Sequence, residues 1–338
     1  MKEKNQIKER VLTGDRTTGK LHLGHYVGSL KKRVEMQNLH ETFILLADVQ
    51  ALTTHFDRPS EIKTHVREIT EDYLAVGINP EKATIFIQSL IPEVAELTIF
   101  YSMFVTVNSL RHNPTIKSEA AQRGYKQMYY GFLGYPVSQA ADITFCKATM
   151  VPVGDDQLPH IEQTRKIVRR FNELYKPVLI EPKAVIGEIP RLSGLDGTTK
   201  MSKSLNNAIN LDSTHQEVNE KIKLAVTDTG RIRKDDPGCP EICSIYSYHK
   251  AFRKDGADEI YVNCRAGKIG CVQCKELIAE RINKILDPMR ERRSIYRANP
   301  SLIDDILLEG TKRARNIAKE TMNEVREAMG IRYFNPQS

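Results

Sequence analysis

Tryptophan is absent from all 338 residues. The chain carries no indole of its own, so fluorescence excited at the red edge of protein absorption would report only a bound ligand. No apolar run approaches the roughly 20 residues of a membrane-spanning helix. The polar start, Met1-Lys2-Glu3-Lys4-Asn5-Gln6, leads into no signal-peptide core. Tandem repeats and low-complexity tracts are missing. So are the two familiar nucleotide loops, the six-residue Walker spacing and GxGxxG. Charge of one sign is also scarce: the net is +7, and residues 211–338 hold 23 basic against 20 acidic side chains. No basic tail exists, and any nucleic acid must be gripped by local clusters. These absences point away from membranes and disorder, toward a globular chain in the cytosol.

What is present begins at residues 13–30, Thr-Gly-Asp-Arg-Thr-Thr-Gly-Lys-Leu-His-Leu-Gly-His-Tyr-Val-Gly-Ser-Leu. An apolar step (Val11, Leu12) leads in, and a helical pattern leads out. Glycines at 14, 19, 24 and 28 let the backbone turn and approach a ligand closely. A helix opening near Gly24 offers N–H groups and a positive dipole end to phosphate. His22 and His25 sit at its mouth as proton donors. A surface Gly-rich turn is the plain alternative.

Along the chain, residues 43–46 and 84–87 read as buried parallel strands. Between them, residues 60–76 form a helix with Ser60 as N-cap and Gly77 as its stop. Residues 93–110 read as helix, 125–130 as an aromatic segment over a pocket, 131–136 as a loop and 137–145 as mostly helix. Residues 150–154 form a strand that ends at Asp155-Asp156-Gln157, and a helix follows from about 160 to 174. This alternation predicts an α/β fold, a Rossmann-type doubly wound parallel sheet with ligands at the strands' carboxyl ends. Past residue 210 the strands stop. Residues 216–226 read as helix, 236–274 as irregular and 275–329 as almost all helix. The expected division is a catalytic domain at 1–210 and an all-helical domain at 211–338.

Five of six cysteines lie between 239 and 274. Cys243, Cys264, Cys271 and Cys274, with Cys239 as a substitute for Cys243, suit four-thiolate binding of Zn²⁺ or an iron–sulfur cluster. Cys146 stands apart as a small buried apolar side chain. Arg290, Arg292, Arg293 and Arg297, and again Lys312, Arg313 and Arg315, are either polyanion grips or solvated helix faces.

Thr199-Lys200-Met201-Ser202-Lys203-Ser204 follows a Gly- and Thr-rich loop far downstream. His-Leu-Gly-His early and Lys-Met-Ser-Lys-Ser late resemble the paired motifs of class I aminoacyl-tRNA synthetases. Residues 47–53, 86–89, Tyr135-Pro136, 139–143 and 151–157 extend the resemblance, in order, to the bacterial tryptophanyl-tRNA synthetases. The resemblance implies a Rossmann-type catalytic domain plus a helical domain that contacts the tRNA anticodon, paired as a homodimer. Arg16, Thr17, Thr18, Gly24 and His25 would surround ATP, accompanied by Mg²⁺. Gly154, Asp155 and Asp156 would meet its ribose and base, Leu192 would lie near adenine, and Lys200, Met201, Ser202, Lys203 and Ser204 would close on the phosphates. His22, His25, Lys200 and Lys203 would be catalytic. Asp142 would read the indole N–H of L-tryptophan, with Gln139, Tyr135 and Gln157 beside it. Thr17 stands where proline is usual and Gln139 where methionine is common. A subset of the family holds a [4Fe–4S] cluster on four cysteines, which Cys264-x6-Cys271-x2-Cys274 with Cys243 resembles; zinc is the alternative.

The reaction so implied is adenylate formation, then acyl transfer to the terminal ribose of tRNA(Trp), with neither DNA nor a membrane as partner. No protein nucleophile is needed; positioning and cations placed where charge grows do the work. Tyrosyl-tRNA synthetase and a non-catalytic amino-acid- and RNA-binding paralogue are the rivals.

Overall fold

The computed structural model describes residues 9–186, 192–197, 201 and 207–334. Five strands form one parallel sheet: β1 (Arg10–Arg16), β2 (Glu41–Ala47), β3 (Ala83–Ile87), β4 (Met150–Val153) and β5 (Lys183–Ile186), in the order β3-β2-β1-β4-β5. β2 is buried from Thr42 to Ala47 because both of its faces are covered. Its side chains alternate between two cores. Ile44 and Leu46 join Leu23, Leu30, Tyr73 and Ile85 on one face. Phe43 and Leu45 join Leu12, Phe86, Phe132 and Phe171 on the other. Gly14 lets β1 lie close to β2, since a Cβ there would sit 2.4 Å from the Leu45 carbonyl oxygen.

The helices through the first half are α1 (Leu23–His25), α2 (Lys31–Met36), α3 (Asp48–His55), α4 (Pro59–Val76), α5 (Pro92–Ser102), α6 (Val107–Arg111), α7 (Pro114–Gln122), α8 (Tyr130–Thr144) and α9 (Leu158–Leu174). A wider π turn, Tyr26–Leu30, joins α1 to α2. α4 ends as expected, with Gly77 at φ +106° and its N–H on Leu74. Its start differs: Pro59 occupies the first turn, where a missing N–H costs nothing, and Ser60 caps nothing. The expected helix over 93–110 breaks at Met103, and Thr106 caps α6 by accepting from the Ser109 N–H. The expected loop at 131–136 is helical. Burial of Phe132, Tyr135, Val137 and Ala140 in one core outweighs the two glycines and the internal Pro136.

Beyond residue 210 come α10 (His215–Leu224), α11 (Ser244–Phe252), α12 (Ala257–Arg265), α13 (Cys271–Ala298) and α14 (Ser301–Ala328). The stretch 236–274 is therefore partly helical: Ile245, Tyr248 and Phe252 fall on one buried stripe that the cysteines mask in the sequence. The arginines 290–297 are tied inward. Arg293, 4% exposed, bonds Asp72 of α4, Arg292 donates to the Ala75 carbonyl (2.6 Å), and Arg290 to Ser213 (2.7 Å). Arg297 reaches Glu71, Arg313 the Pro80 carbonyl and Arg315 Glu93. Arg290, Arg292 and Arg293 thus dock helices, while Arg297, Lys312, Arg313 and Arg315 stay exposed on solvated helix faces.

α14 returns to the sheet and runs past its β3 edge. Ile303 and Leu307 enter one core, and Ala314, Ala318, Met322 and Val325 the other. Between them Thr311 accepts the Ile87 N–H (3.2 Å), so the edge strand is covered. No helix among the described residues is long and apolar enough to cross a membrane.

Candidate active site

β1 and β4 are neighbours in the sheet but distant in sequence, and the strand order reverses between them. That switch point is where an open α/β sheet leaves a crevice. A cavity of about 440 Å³ lies there. Arg16, Thr18, His25, Tyr135, Gln139, Asp142, Gly154 and Gln157, all named from the sequence, line it. Asp155 and Asp156 line an adjoining hollow that shares Arg16, Glu119 and Gln157 with the first. Thr17 is fully buried, with its hydroxyl oxygen lacking a hydrogen-bond partner. Leu192 and Met201 are buried in the core beneath α1. Lys200, Ser202, Lys203 and Ser204 lie outside the described residues.

The helix opening is closed differently from the sequence expectation. The Gly24 N–H donates to His22 Nδ1 (3.1 Å) and the His22 N–H to His25 Nδ1 (3.2 Å), so two imidazoles form the cap. Accepting through Nδ1 puts the proton of each neutral ring on Nε2. The rings lie 3.9 Å apart. A Cβ on Gly24 would stand 2.9 Å from the His22 ring and 3.3 Å from Met201 Sδ. The two distant motifs thus meet at this glycine. Just beyond, His22 pairs antiparallel with Asn210, the Leu23 N–H donates to the Ile209 carbonyl (2.9 Å), and the Leu211 N–H donates to Leu21 (3.0 Å). Beneath them the Leu21 N–H donates to Asp72, the carboxylate that also holds Arg293. Burial lifts Asp72 to about 6 against the pull of that arginine.

Asp142, 1% exposed, is held by two amides: Gln50 donates to Oδ2 (2.8 Å) and Gln88 to Oδ1 (2.8 Å) and Oδ2 (2.7 Å). Burial raises its carboxyl to about 8, with those two amides pulling the other way. Gln88 also accepts the Gln50 N–H (3.1 Å), which locks the pair. Tyr135 meets buried His160 (2.8 Å to Nε2), whose Nδ1 faces the Asn113 amide at 3.4 Å. Burial, then Arg16, hold His160 down at about 4, so it is neutral. Burial, then the Glu119 carboxylate, hold the Tyr135 hydroxyl above its ordinary range. Behind β1, Asp15 accepts from Arg33 (2.6 Å) and Tyr73 (2.7 Å). Burial is the largest single influence and would raise Asp15, but the Arg33 and His25 charges and the hydrogen bonds from Arg33 and Tyr73 together outweigh it and hold the carboxyl far below normal.

Gln50, Gln88, Asn113, His160, Asp15 and Arg33 carry this geometry; Asp15, Gln50 and Gln88 fall inside the motif segments 13–30, 47–53 and 86–89, but none of the six is given a role from the sequence. Gln50 and Gln88 had a signal: each is an amide a few residues past the end of a buried parallel strand. The others become visible only through packing. The aromatic segment does not cover the cavity: Tyr125 packs on Phe132 (5.1 Å), while Tyr129 and Tyr130 are 62% and 79% exposed.

The cysteines lie together at the far side of the helical part. Cys264 and Cys271 Sγ are each 3.9 Å from Arg231 Nη1, and Cys274 Sγ is 3.3 Å from His249 Nε2. Burial raises the Cys274 thiol to about 12, and the neighbouring Cys243, Cys264 and Cys271 add to the rise. Cys239 turns instead to Glu241 (3.2 Å). Among the described residues, no group of three or more His, Cys, Asp or Glu is arranged to hold a metal ion. Cys146 is fully buried in the sheet core, as expected.

A parallel sheet whose switch-point crevice joins a His-Leu-Gly-His helix opening to the segment beyond a Lys-Met-Ser-Lys-Ser loop has the make-up of a class I aminoacyl-tRNA synthetase. The profile of tRNA synthetases class I (W and Y) matches residues 4–287, and the chain belongs to that family. A tryptophan–tRNA ligase of Clostridium longisporum is 48% identical over 336 residues, spanning 97% of this chain and 98% of its own. One from Thermotoga maritima is 45% identical over 328 residues, spanning 96% and 100%. The crystal structure of tryptophanyl-tRNA synthetase from Campylobacter jejuni complexed with ADP and tryptophan is similar at a TM-score of 0.83. It is 31% identical, with 95% of this chain and 99% of that one covered.

Proposed function

We infer that this chain, a tryptophan–tRNA ligase, activates L-tryptophan with ATP in the β1–β4 crevice and transfers it to the terminal ribose of tRNA(Trp). The observation that carries the reading is the pairing of residues 21–23 with 209–211, which brings the second motif's flank to the first motif's helix. In this reading ATP, with Mg²⁺, lies over Arg16, Thr17, Thr18, Gly24, Gly154, Asp155 and Asp156, with adenine toward Leu192. His22 and His25 donate through Nε2 to phosphate oxygens. Lys200 and Lys203, with Met201, Ser202 and Ser204 between and after them, engage pyrophosphate as charge develops. Asp142 accepts the indole N–H, and Tyr135, Gln139 and Gln157 flank the amino acid. Pyrophosphate exchange should depend on tryptophan and not on tyrosine, and purified tRNA(Trp) should be charged. Exchange with tyrosine would turn the reading to the sister enzyme, and ligand binding without exchange to a regulator.

Three further parts belong to the same reading. Residues 211–338 serve the anticodon side, although α14 also braces the sheet. Exposed Leu90, Ile99, Met103 and Val107 give a second copy an apolar face, so the protein should sediment as a dimer. The cytosol is its expected compartment. The four thiols have the chemistry for a [4Fe–4S] cluster, with zinc as the alternative, although they are not arranged here to hold a metal: three of the four neighbour Cys274, Cys239 points elsewhere, and Arg231 supplies a countercharge with its Nε buried and unpartnered. Cys243, Cys264, Cys271 and Cys274 would hold it, and it would supply a rigid cross-link between α11, α12 and α13. Anaerobic reconstitution should give about four irons per chain and charge-transfer absorption; neither iron nor that band would remove the cluster.

A further inference from the structure

We propose that Glu119 receives the α-ammonium of the amino acid, an inference that rests on reading the crevice as the tryptophan site. Glu119 stands on α7 and lines both the main cavity and the adjoining hollow. Its Oε2 is buried and has no hydrogen-bond partner. Its Oε1 takes a long contact, 3.3 Å, from Arg16 Nη2, and the Tyr135 hydroxyl lies near enough to the carboxylate to feel it, so Oε2 is the oxygen left open. The other two carboxylates lining the cavity are in the opposite condition: Asp142 has both oxygens bonded to side-chain amides, and Asp15 is held by Arg33 and Tyr73. A buried acceptor left open in a polar cavity calls for a donor from the ligand.

The position of Glu119 selects which donor. Activation requires the amino acid's carboxylate to reach the α-phosphate, so its α-carbon must sit where the amino-acid and ATP compartments meet. Glu119 lines that boundary, and Arg16 shares it. A zwitterion set there presents an ammonium to Glu119 and a carboxylate toward Arg16, exchanging one loose protein ion pair for two ligand contacts. Tyr135 and Gln157 line the same cavity and bracket the ammonium with neutral groups. α7 is fixed for this task. Asn113 caps it by accepting from Thr115 (3.0 Å), and Thr115 Oγ1 donates to the Asp156 carbonyl (2.7 Å).

The test compares three indole ligands on the full chain: tryptophan, tryptamine (no carboxylate) and indole-3-propionate (no ammonium). Because the chain has no tryptophan, binding is read from ligand fluorescence. Glu119→Gln should raise the KM for tryptophan in pyrophosphate exchange about 10- to 100-fold, the loss of one charge-assisted hydrogen bond. The KM for ATP should stay within about twofold. Tryptamine should weaken in parallel, indole-3-propionate should bind as before, and Glu119→Asp should recover part of the loss. Equal weakening of tryptamine and indole-3-propionate, an unchanged KM for tryptophan, or an effect on ATP alone would overturn the proposal. Unaltered thermal melting of both variants excludes misfolding as the cause. If the wild-type protein bound none of the three, the tryptophan reading and this inference would fail together, a result distinct from failure of the variants alone.

Discussion

Asp142 is poised between two ionisation states, and that has consequences for both stability and binding. Its folded-state carboxyl titrates near 8, against 3.8 for the unperturbed group. The folded protein therefore holds a proton that the unfolded chain has released. This contributes stability that is fully present below pH 3.8, falls progressively as pH rises, and is gone above about 8. The indole N–H, by contrast, is best accepted by the ionised form. Tryptophan affinity should accordingly rise between pH about 6.5 and 8.5 while the melting temperature falls. Asp142→Asn should flatten both profiles, and a pH-independent KM in the wild type would contradict the assignment. A second residue-scale test is Gly24→Ala. The new methyl must displace the His22 ring or Met201, so pyrophosphate exchange should drop about tenfold or more, with a smaller loss of stability. Exchange kinetics beside a thermal melt would separate the two effects.

At the scale of elements, α14 shows how a helix can serve both faces of a sheet at one point of contact. A Cβ at Gly310 would stand 1.9 Å from the Ile85 carbonyl oxygen, which belongs to backbone and cannot move aside. Gly310→Ala should push α14 off the β3 edge. The cost should be about 3 kcal/mol in chemical denaturation, opposite in sign to the roughly 1 kcal/mol that Gly→Ala contributes in an exposed helix. The sequence does not disclose this. Gly310 reads as an ordinary weak spot in a long amphipathic stretch, and nothing near it in the chain points to residue 85. The break of the 93–110 helix at Met103 and the helical state of 131–136 have the same origin. Local preference is worth tenths of a kcal/mol per residue, and burying aromatic side chains such as Phe132 and Tyr135 is worth more.

Over the whole molecule, Asp72 ties α13 to the segment that leads into α1. It accepts from the Leu21 N–H on one side and from Arg293 on the other, with both ion-pair partners nearly buried. Removing one member leaves an uncompensated buried charge, so Arg293→Ala should cost about 3–5 kcal/mol. Because Leu21 leads directly into His22, the same variant should lower exchange activity at temperatures where the protein is still folded. Activity that falls only with global unfolding would show the pair to be structural alone.

The order and spacing of motifs settled the chemistry by themselves. Glycines at 14 and 24, histidines at 22 and 25, the carboxylate at 142 and the Lys-Met-Ser-Lys-Ser run are covalent facts, and the alternation of strands with helices is legible as far as residue 174, whereas the strand at 183–186 is not. Tertiary structure decided what those residues face. It drew Arg290, Arg292 and Arg293 inward while leaving Arg297, Arg313 and Arg315 exposed, enclosed Asp142 between two glutamines and left one oxygen of Glu119 open at the boundary of two compartments. The physical reason is that hydrophobic periodicity is local and survives in the sequence. The partner of a buried charge, in contrast, lies anywhere from 18 residues away (Asp15 and Arg33) to 221 (Asp72 and Arg293) and is chosen only when the chain closes on itself.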